Sequence, residues 1–165
     1  MIKILFVCHG NICRSPMAEF ILKDMVEKQK LTDCFEIASA ATSTEEIWNG
    51  RGNPVYPPAK EVLRRNGIGK TPYTDFSGKR ARQLEKNDYN CYDYLIGMDG
   101  MNMRNIERMT GHTKAEGKIY KMLTFAGSDR DVSDPWYTDN FDQAYRDIEQ
   151  GCRGFLTYLK EQGIL

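Results

Sequence analysis

Cys8 and Arg14 stand six residues apart in the stretch VCHGNICRSPMAE, which runs from Val7 to Glu19. Between them lie His9, Gly10, Asn11, Ile12 and Cys13, and Ser15 and Pro16 follow. A thiolate is a strong nucleophile. A guanidinium is a planar, permanently charged fork that grips two oxygens of a phosphate. If the loop closes onto the start of a helix, unpaired backbone N–H groups and the helix dipole complete an anion-binding nest. That field favours the thiolate form of Cys8, and the Ser15 hydroxyl is placed to donate a hydrogen bond to the sulfur. Gly10 offers positive φ at no steric cost. Nucleophile, oxyanion cradle and cation around one point suit attack on a phosphate monoester. The plainer alternative is a tight strand-to-helix turn with a buried strand-end cysteine, and the Cys-x5-Arg-Ser spacing weighs against it. No Gly-Lys-Ser/Thr follows the glycine, so the loop is not a nucleotide P-loop, and it carries no dinucleotide fingerprint.

Breaking a phosphoester also requires an acid to protonate the leaving oxygen. The best candidate is Asp134 in SDPWYTDN, followed by Pro135, which stiffens the turn, and then by Trp136 and Tyr137. Those aromatic neighbours are placed to desolvate the carboxyl group and to line a slot for an aromatic ring. An Asp-Pro pair in a loop is by itself commonly only a turn.

The elements that must position these residues can be read from apolar spacing. Ile2–Cys8 is a short apolar run that reads as a buried strand, and Met17, Ala18, Ile21, Leu22 and Met25 mark one face of a helix. Ser15 suits the N-cap of that helix and Pro16 its first position. Phe35–Ala41 reads as a second strand, and 42–57 as a long irregular segment containing Trp48. Helices are expected over 58–66, around 79–86, over 102–110 and from Phe141 to near Gly163. Strands are expected over Tyr94–Met98 and Ile119–Leu123, with a long polar loop over 124–140. Alternating strands and helices predict an α/β fold: a doubly wound four-stranded parallel sheet with helices on both faces, in a single domain spanning 1–165. Ligands in such sheets bind beyond the carboxyl ends of the strands, where Cys8 falls.

Composition narrows the function class. Of 165 residues, 23 are Lys or Arg and 23 are Asp or Glu. Zero net charge gives no global pull toward nucleic acid or an anionic membrane. MIKILFVC is too short to span a bilayer and lacks a long apolar core with a cleavage site, so a cytoplasmic protein is expected. The five cysteines show no CxxC pair, and there are only two histidines, His9 and His112. Neither a metal nor another cofactor is expected. Cys34, Cys91 and Cys152 read as packing residues. Lys79, Arg80 and Arg82 read as a solvated face, and His9 as a residue of the site rim.

The chain resembles the low-molecular-weight protein tyrosine phosphatases. VCHGNICRSPMAE and DPWY (134–137) carry the resemblance, and ASAATS (38–43) and YLIGMD (94–99) extend it over essentially the whole chain. The resemblance implies that Cys8 is the nucleophile of a phosphocysteine intermediate, that Arg14 binds the phosphoryl group, and that Asp134 is the general acid and then the base. It assigns the phosphate cradle to His9, Gly10, Asn11, Ile12, Cys13 and Ser15, with Ser39 supporting Asn11. It implies that Cys13 can form a reversible disulfide with Cys8 and shield it from over-oxidation. Relatives acting on phosphoarginine tend to carry Thr where this chain has Ile12, and an apolar Ile suits a flat ring, so phosphotyrosine is expected. Tyrosine-phosphorylated proteins are the implied partners, with a cognate tyrosine kinase as a further one, and the protein is expected to be a monomer.

Two departures stand out. Where the family often has an aromatic wall after its second strand, this chain has Glu45, with Trp48 three residues later as a replacement wall. Trp136 and Tyr137 stand where many members have two tyrosines. Two tryptophans in two long loops suggest a shared cleft. Three rival functions on similar loops are weaker. A thiol-dependent arsenate reductase needs a further close cysteine pair. A phosphoryl carrier has no use for Asp134. A phosphopeptide-binding module has no need of a thiolate.

Overall fold

The computed structural model describes residues 1–165. Its sheet has four parallel strands in the order β2 (Phe35–Ala41), β1 (Ile2–Cys8), β5 (Tyr94–Gly97) and β6 (Ile119–Lys121). The remaining strands, β3 (Ile47–Trp48) and β4 (Arg51–Gly52), form a separate antiparallel hairpin. β1 is central and buried on both faces, which is why IKILFVC is an unbroken apolar run and not an alternating one. Ile4 and Phe6 point to one face, Leu5 and Val7 to the other.

The first face is covered by α1 (Arg14–Lys28), α2 (Pro57–Arg65) and α6 (Phe141–Glu161). Phe155, Ile148 and Leu159 of α6 meet Met17, Ile21 and Leu22 of α1 in that layer. Gly154 lets α6 come close: a β-carbon there would stand 1.9 Å from the Phe125 carbonyl oxygen. The opposite face carries α4 (Gly100–Thr110), whose Met103 and Ile106 pack on Val7 and Leu95, together with Tyr89 of the short α3 (Asp88–Cys91). Emptying one of these sites, as in Phe155→Ala, costs about 3–5 kcal/mol.

The chain leaves β1 toward β2 on one side and returns to β5 on the other. The carboxyl end of β1 is therefore the point where the winding reverses, and a crevice opens there. Cys8 is the last residue of β1.

Several local expectations are corrected. Residues 79–86 form no helix. Arg80 bridges to Pro54 and Gln83 to Ala41, so the segment runs extended along the edge beside β2. Residues 48–51 are not irregular: Asn49 (φ 49°) and Gly50 (φ 75°) make the tight turn between β3 and β4 that an Asn-Gly pair favours. A one-turn helix, α5 (Pro135–Thr138), interrupts the loop over 124–140. Cys152 is fully buried and Cys34 packs against the core, whereas Cys91 is exposed and meets the Asn87 amide at 3.5 Å, correcting its reading as a packing residue.

Candidate active site

The loop from His9 to Cys13 joins β1 directly to α1. Cys13, not Ser15, occupies the cap position of α1, and no side chain caps it. Ser15 is already inside the helix because its hydroxyl is used elsewhere. It accepts a hydrogen bond from Asn11 Nδ2 at 2.7 Å and lies 3.0 Å from Cys8 Sγ. The hydroxyl hydrogen has two acceptors within reach, Cys8 Sγ at 3.0 Å and the Ala40 carbonyl at 3.5 Å. The Ser15 backbone N–H also donates to Cys8 Sγ, at 3.4 Å.

Gly10 does not adopt positive φ; Asn11 does, at 58°. Gly10 instead lies close to another loop: a β-carbon there would stand 3.2 Å from Glu46 Cγ, a tight contact. A non-glycine residue in the left-handed region is held only when its surroundings insist on it. Three partners do so here. Beyond Ser15, Asn11 Nδ2 donates to Ser39 Oγ at 2.9 Å, and Oδ1 accepts from the Arg82 backbone N–H at 3.2 Å.

That network runs deeper. Ser39 Oγ donates to Glu19 Oε1 at 2.7 Å, and Glu19 is held by Lys23 at 2.8 Å and Lys79 at 3.3 Å. Burial pulls the Lys79 ammonium below its ordinary pKa, and Glu19 opposes that pull. Arg82 forks onto both oxygens of Asp88. Lys79 and Arg82 therefore brace the nest from behind, correcting their reading as a solvated face.

Arg14 is 2% exposed. Its Nη1 donates to Asp99 Oδ2 at 2.7 Å and to the Val132 carbonyl at 2.8 Å, and Nη2 faces Asp134 Oδ2 at 3.4 Å. Burial works against the charge, but Cys8, Asp134 and Asp99 outweigh it and hold the guanidinium above its ordinary pKa. The two oxygens of Asp134 differ. Oδ1 caps α5 by accepting from the Trp136 N–H at 3.1 Å, leaving Oδ2 toward Arg14 and the cleft. Burial pushes the Cys13 thiol up from its ordinary pKa, and the negative charges on Cys8 and Asp134 add to it.

Cys8, His9, Gly10, Ile12, Cys13, Arg14, Asp134, Trp136 and Tyr137 line one cleft of about 100 Å³. Asn11, Ser15 and Ser39 stand behind it as its supports. Glu45 and Glu46 complete the wall, with His9 Nε2 3.0 Å from Glu45 Oε2 at the rim. Trp48 is not part of the cleft. In a two-residue strand neighbours point to opposite faces. Ile47 packs on the core, so Trp48 faces solvent, 73% exposed. The two tryptophans share no cleft; Trp136 instead tilts against Tyr56 at 5.0 Å.

Sequence reasoning missed Asp99, Glu19 and Glu46. Asp99 closes YLIGMD at the carboxyl end of β5, a position that itself points at the crevice. Glu19 closes VCHGNICRSPMAE. Glu46 carried no local signal. No group of three or more His, Cys, Asp and Glu side chains stands close enough together to hold a metal ion, and no helix is long and apolar enough to cross a membrane.

A family model described as low molecular weight phosphotyrosine protein phosphatase matches residues 3–164. The low molecular weight protein-tyrosine-phosphatase YfkJ of Bacillus subtilis is 38% identical over 164 residues, covering 98% of each chain. Its crystal structure superimposes with a TM-score of 0.87 over 98% of this chain and 96% of that one. SP-PTP, a low molecular weight protein tyrosine phosphatase from Streptococcus pyogenes, is 37% identical with a TM-score of 0.80, covering 96% of this chain and 93% of its own. The Drosophila arginine phosphatase DARP is 29% identical with a TM-score of 0.80, covering 96% of this chain and 98% of its own. The chain belongs to the low molecular weight phosphotyrosine protein phosphatase family.

Proposed function

We propose that the protein hydrolyses phosphotyrosine in other proteins through a phosphocysteine intermediate. One observation carries this reading: Cys8 Sγ, the Arg14 guanidinium and Asp134 Oδ2 converge on a single narrow cleft walled by Ile12, Trp136 and Tyr137. The Cys8 thiolate attacks phosphorus while Arg14 and the backbone N–H groups of the nest hold the phosphoryl oxygens. The bond to the tyrosine oxygen breaks, and Asp134 gives that oxygen its proton. Asp134, now a carboxylate, takes a proton from water as the water attacks the phosphocysteine. Inorganic phosphate leaves, and the thiolate and the protonated acid are restored.

Ile12 supports the aryl substrate. It is buried, its carbonyl accepts from the Tyr56 N–H at 2.9 Å, and it presents an apolar surface to the cleft. A guanidino phosphate, by contrast, has N–H donors that an isoleucine leaves unpaired. The substrates in this reading are tyrosine-phosphorylated proteins supplied by a tyrosine kinase. All five cysteines are free, which suits a reducing cytoplasm. One chain supplies every group of the cleft, so a monomer suffices.

A side-by-side assay of phosphotyrosine, phosphoserine and phosphoarginine peptides in EDTA tests the proposal. Turnover of the phosphotyrosine peptide alone is expected. Faster release from phosphoarginine would overturn the aryl assignment, and inhibition by EDTA would overturn the metal-free mechanism.

A further inference from the structure

The reactive cleft is not isolated. A second groove of about 300 Å³ adjoins it, and the two share Ile12, Glu46 and Trp136. Pro54, Val55, Tyr56 and Pro57 supply most of the remaining wall of the groove. Asn53 completes it, so the groove has apolar walls with one amide and one carboxylate near the junction.

Glu46 is held at that junction. Its Oε2 accepts from Asn53 Nδ2 at 3.1 Å, and its backbone carbonyl accepts from the Asn53 N–H at 2.8 Å. Its Cγ lies against the nest at Gly10. No Lys, Arg or His pairs with it. On this side of the cleft the ion pair joins His9 to Glu45 instead. An unpaired carboxylate beside an apolar wall and an indole, half exposed, matches one kind of side chain: a long aliphatic stem ending in a cation. The stem packs on prolines and Ile12, and the charged head meets Glu46 and the face of Trp136. Arg fits better than Lys because its flat guanidinium also stacks. An acidic side chain in the same place meets Glu46 and Glu45 as like charges.

We infer that Glu46 is a specificity-determining residue that selects phosphotyrosines with an arginine or lysine two residues away in the peptide, that side chain lying in this groove. The inference rests on the phosphotyrosine reading above. In an extended peptide the second residue on either side of the phosphotyrosine shares its face, about 7 Å away along the chain, so a ring in the cleft delivers that side chain to the adjoining groove.

Peptides that differ only in the second residue before or after the phosphotyrosine, Arg, Ala or Glu, test it on the full chain. At one of the two positions, kcat/KM is expected to fall in the order Arg, Ala, Glu, with Arg over Glu by about two- to fivefold, the upper part of the range of exposed charge pairs. Glu46→Gln is expected to flatten the order and Glu46→Lys to reverse it. An order in Glu46→Lys that matches the wild type within twofold would overturn the inference, as would a wild type that is indifferent or prefers Glu. If Glu46→Lys does not fold, the wild type decides. Its preference must fade toward 1 M salt, where screening reaches about 3 Å, and a salt-insensitive preference sinks the idea. Free phosphotyrosine separates the two readings. If it is hydrolysed while the peptide order is flat, only the inference fails; if it is not hydrolysed, the proposed function fails first.

Discussion

The nest over residues 8–15 and the loop that carries Asp134 face each other across one cleft, and they are held in opposite ways. Cys8, Asn11, Arg14 and Ser15 are all buried, and the Asn11 side chain alone touches Ser15, Ser39 and the Arg82 backbone. The acid loop is anchored ahead of Asp134, where Arg130 forks onto Asp147 and Asp131 accepts from the Gly100 N–H and Lys121, and is open after it. Val132 is buried, takes the Met98 carbonyl with its N–H at 2.9 Å and gives its own carbonyl to Arg14. Beyond it, Trp136 is 53% and Tyr137 83% exposed. In the proposed mechanism the phosphate cradle is thus built in advance, at the cost of a strained Asn11, while the proposed leaving-group acid sits on a surface turn facing Arg14. Arg14 touches both regions: it lies in the nest, bonds the Val132 carbonyl and faces Asp134 of the loop.

The largest effect tests the nest. Cys8→Ser is expected to remove turnover of p-nitrophenyl phosphate altogether, because a serine hydroxyl in place of the thiolate has no base beside it. Wild-type-like activity in that variant would end the assignment. The two cysteines of the nest are also expected to differ in alkylation. Iodoacetamide at neutral pH modifies Cys8, whereas burial keeps Cys13 a neutral thiol. Peptide mass spectrometry reads this directly, and Cys13 labelling ahead of Cys8 would show that the donors around Cys8 are misassigned.

Crossing to the acid loop, Asp134→Ala is expected to slow an aryl phosphate with a poor leaving group by about 10²–10⁴-fold. Esters whose leaving group is already a good anion are expected to lose less. An equal loss on both would mean that Asp134 acts through Arg14, holding the fork in place, and not as an acid. This is the sharpest way to ask whether the more open region does chemistry or only positioning.

The difference between the regions also explains what was readable beforehand. The core of the nest was legible because its constraints are local: Cys8, Asn11 and Ser15 bond to one another within eight residues. The sheet was legible because β1 and β5 are buried on both faces and read as apolar runs. What escaped depends on distant partners. Lys79 and Arg82 look like surface charges until the fold sets them behind Asn11 and Glu19, and their segment looked helical because its extended form is imposed by Pro54 and Ala41. Gly10 was assigned positive φ because glycine usually supplies it; the left-handed position is Asn11, and Gly10 answers to Glu46, which lies on another loop.

Ser39→Ala probes that hidden bracing. It deletes a hydroxyl buried between Asn11 and Glu19 and leaves both with one partner fewer. The expected cost is about 1–3 kcal/mol. In a chain of this size each kcal/mol lowers the melting temperature by about 2–4 °C, and the strained Asn11 should make activity fall with it. Unchanged melting, followed by circular dichroism, would mean that Arg82 and Ser15 suffice to hold the nest.

The smallest effect separates the two tryptophans. Trp48 ends a two-residue strand on the solvent side, so Trp48→Ala is expected to change stability by no more than about 0.5 kcal/mol and to leave kcat/KM on aryl phosphates unmoved. Trp136 lines the cleft and rests on Tyr56, so Trp136→Ala is expected to raise KM for phosphotyrosine while leaving that for inorganic phosphate as an inhibitor nearly constant, since phosphate touches only the nest. If Trp48→Ala instead raised KM, the hairpin would have to fold over the cleft when substrate binds. The wall facing Trp136 would then be built on demand, which would make both walls mobile and leave the nest as the one rigid part of the site.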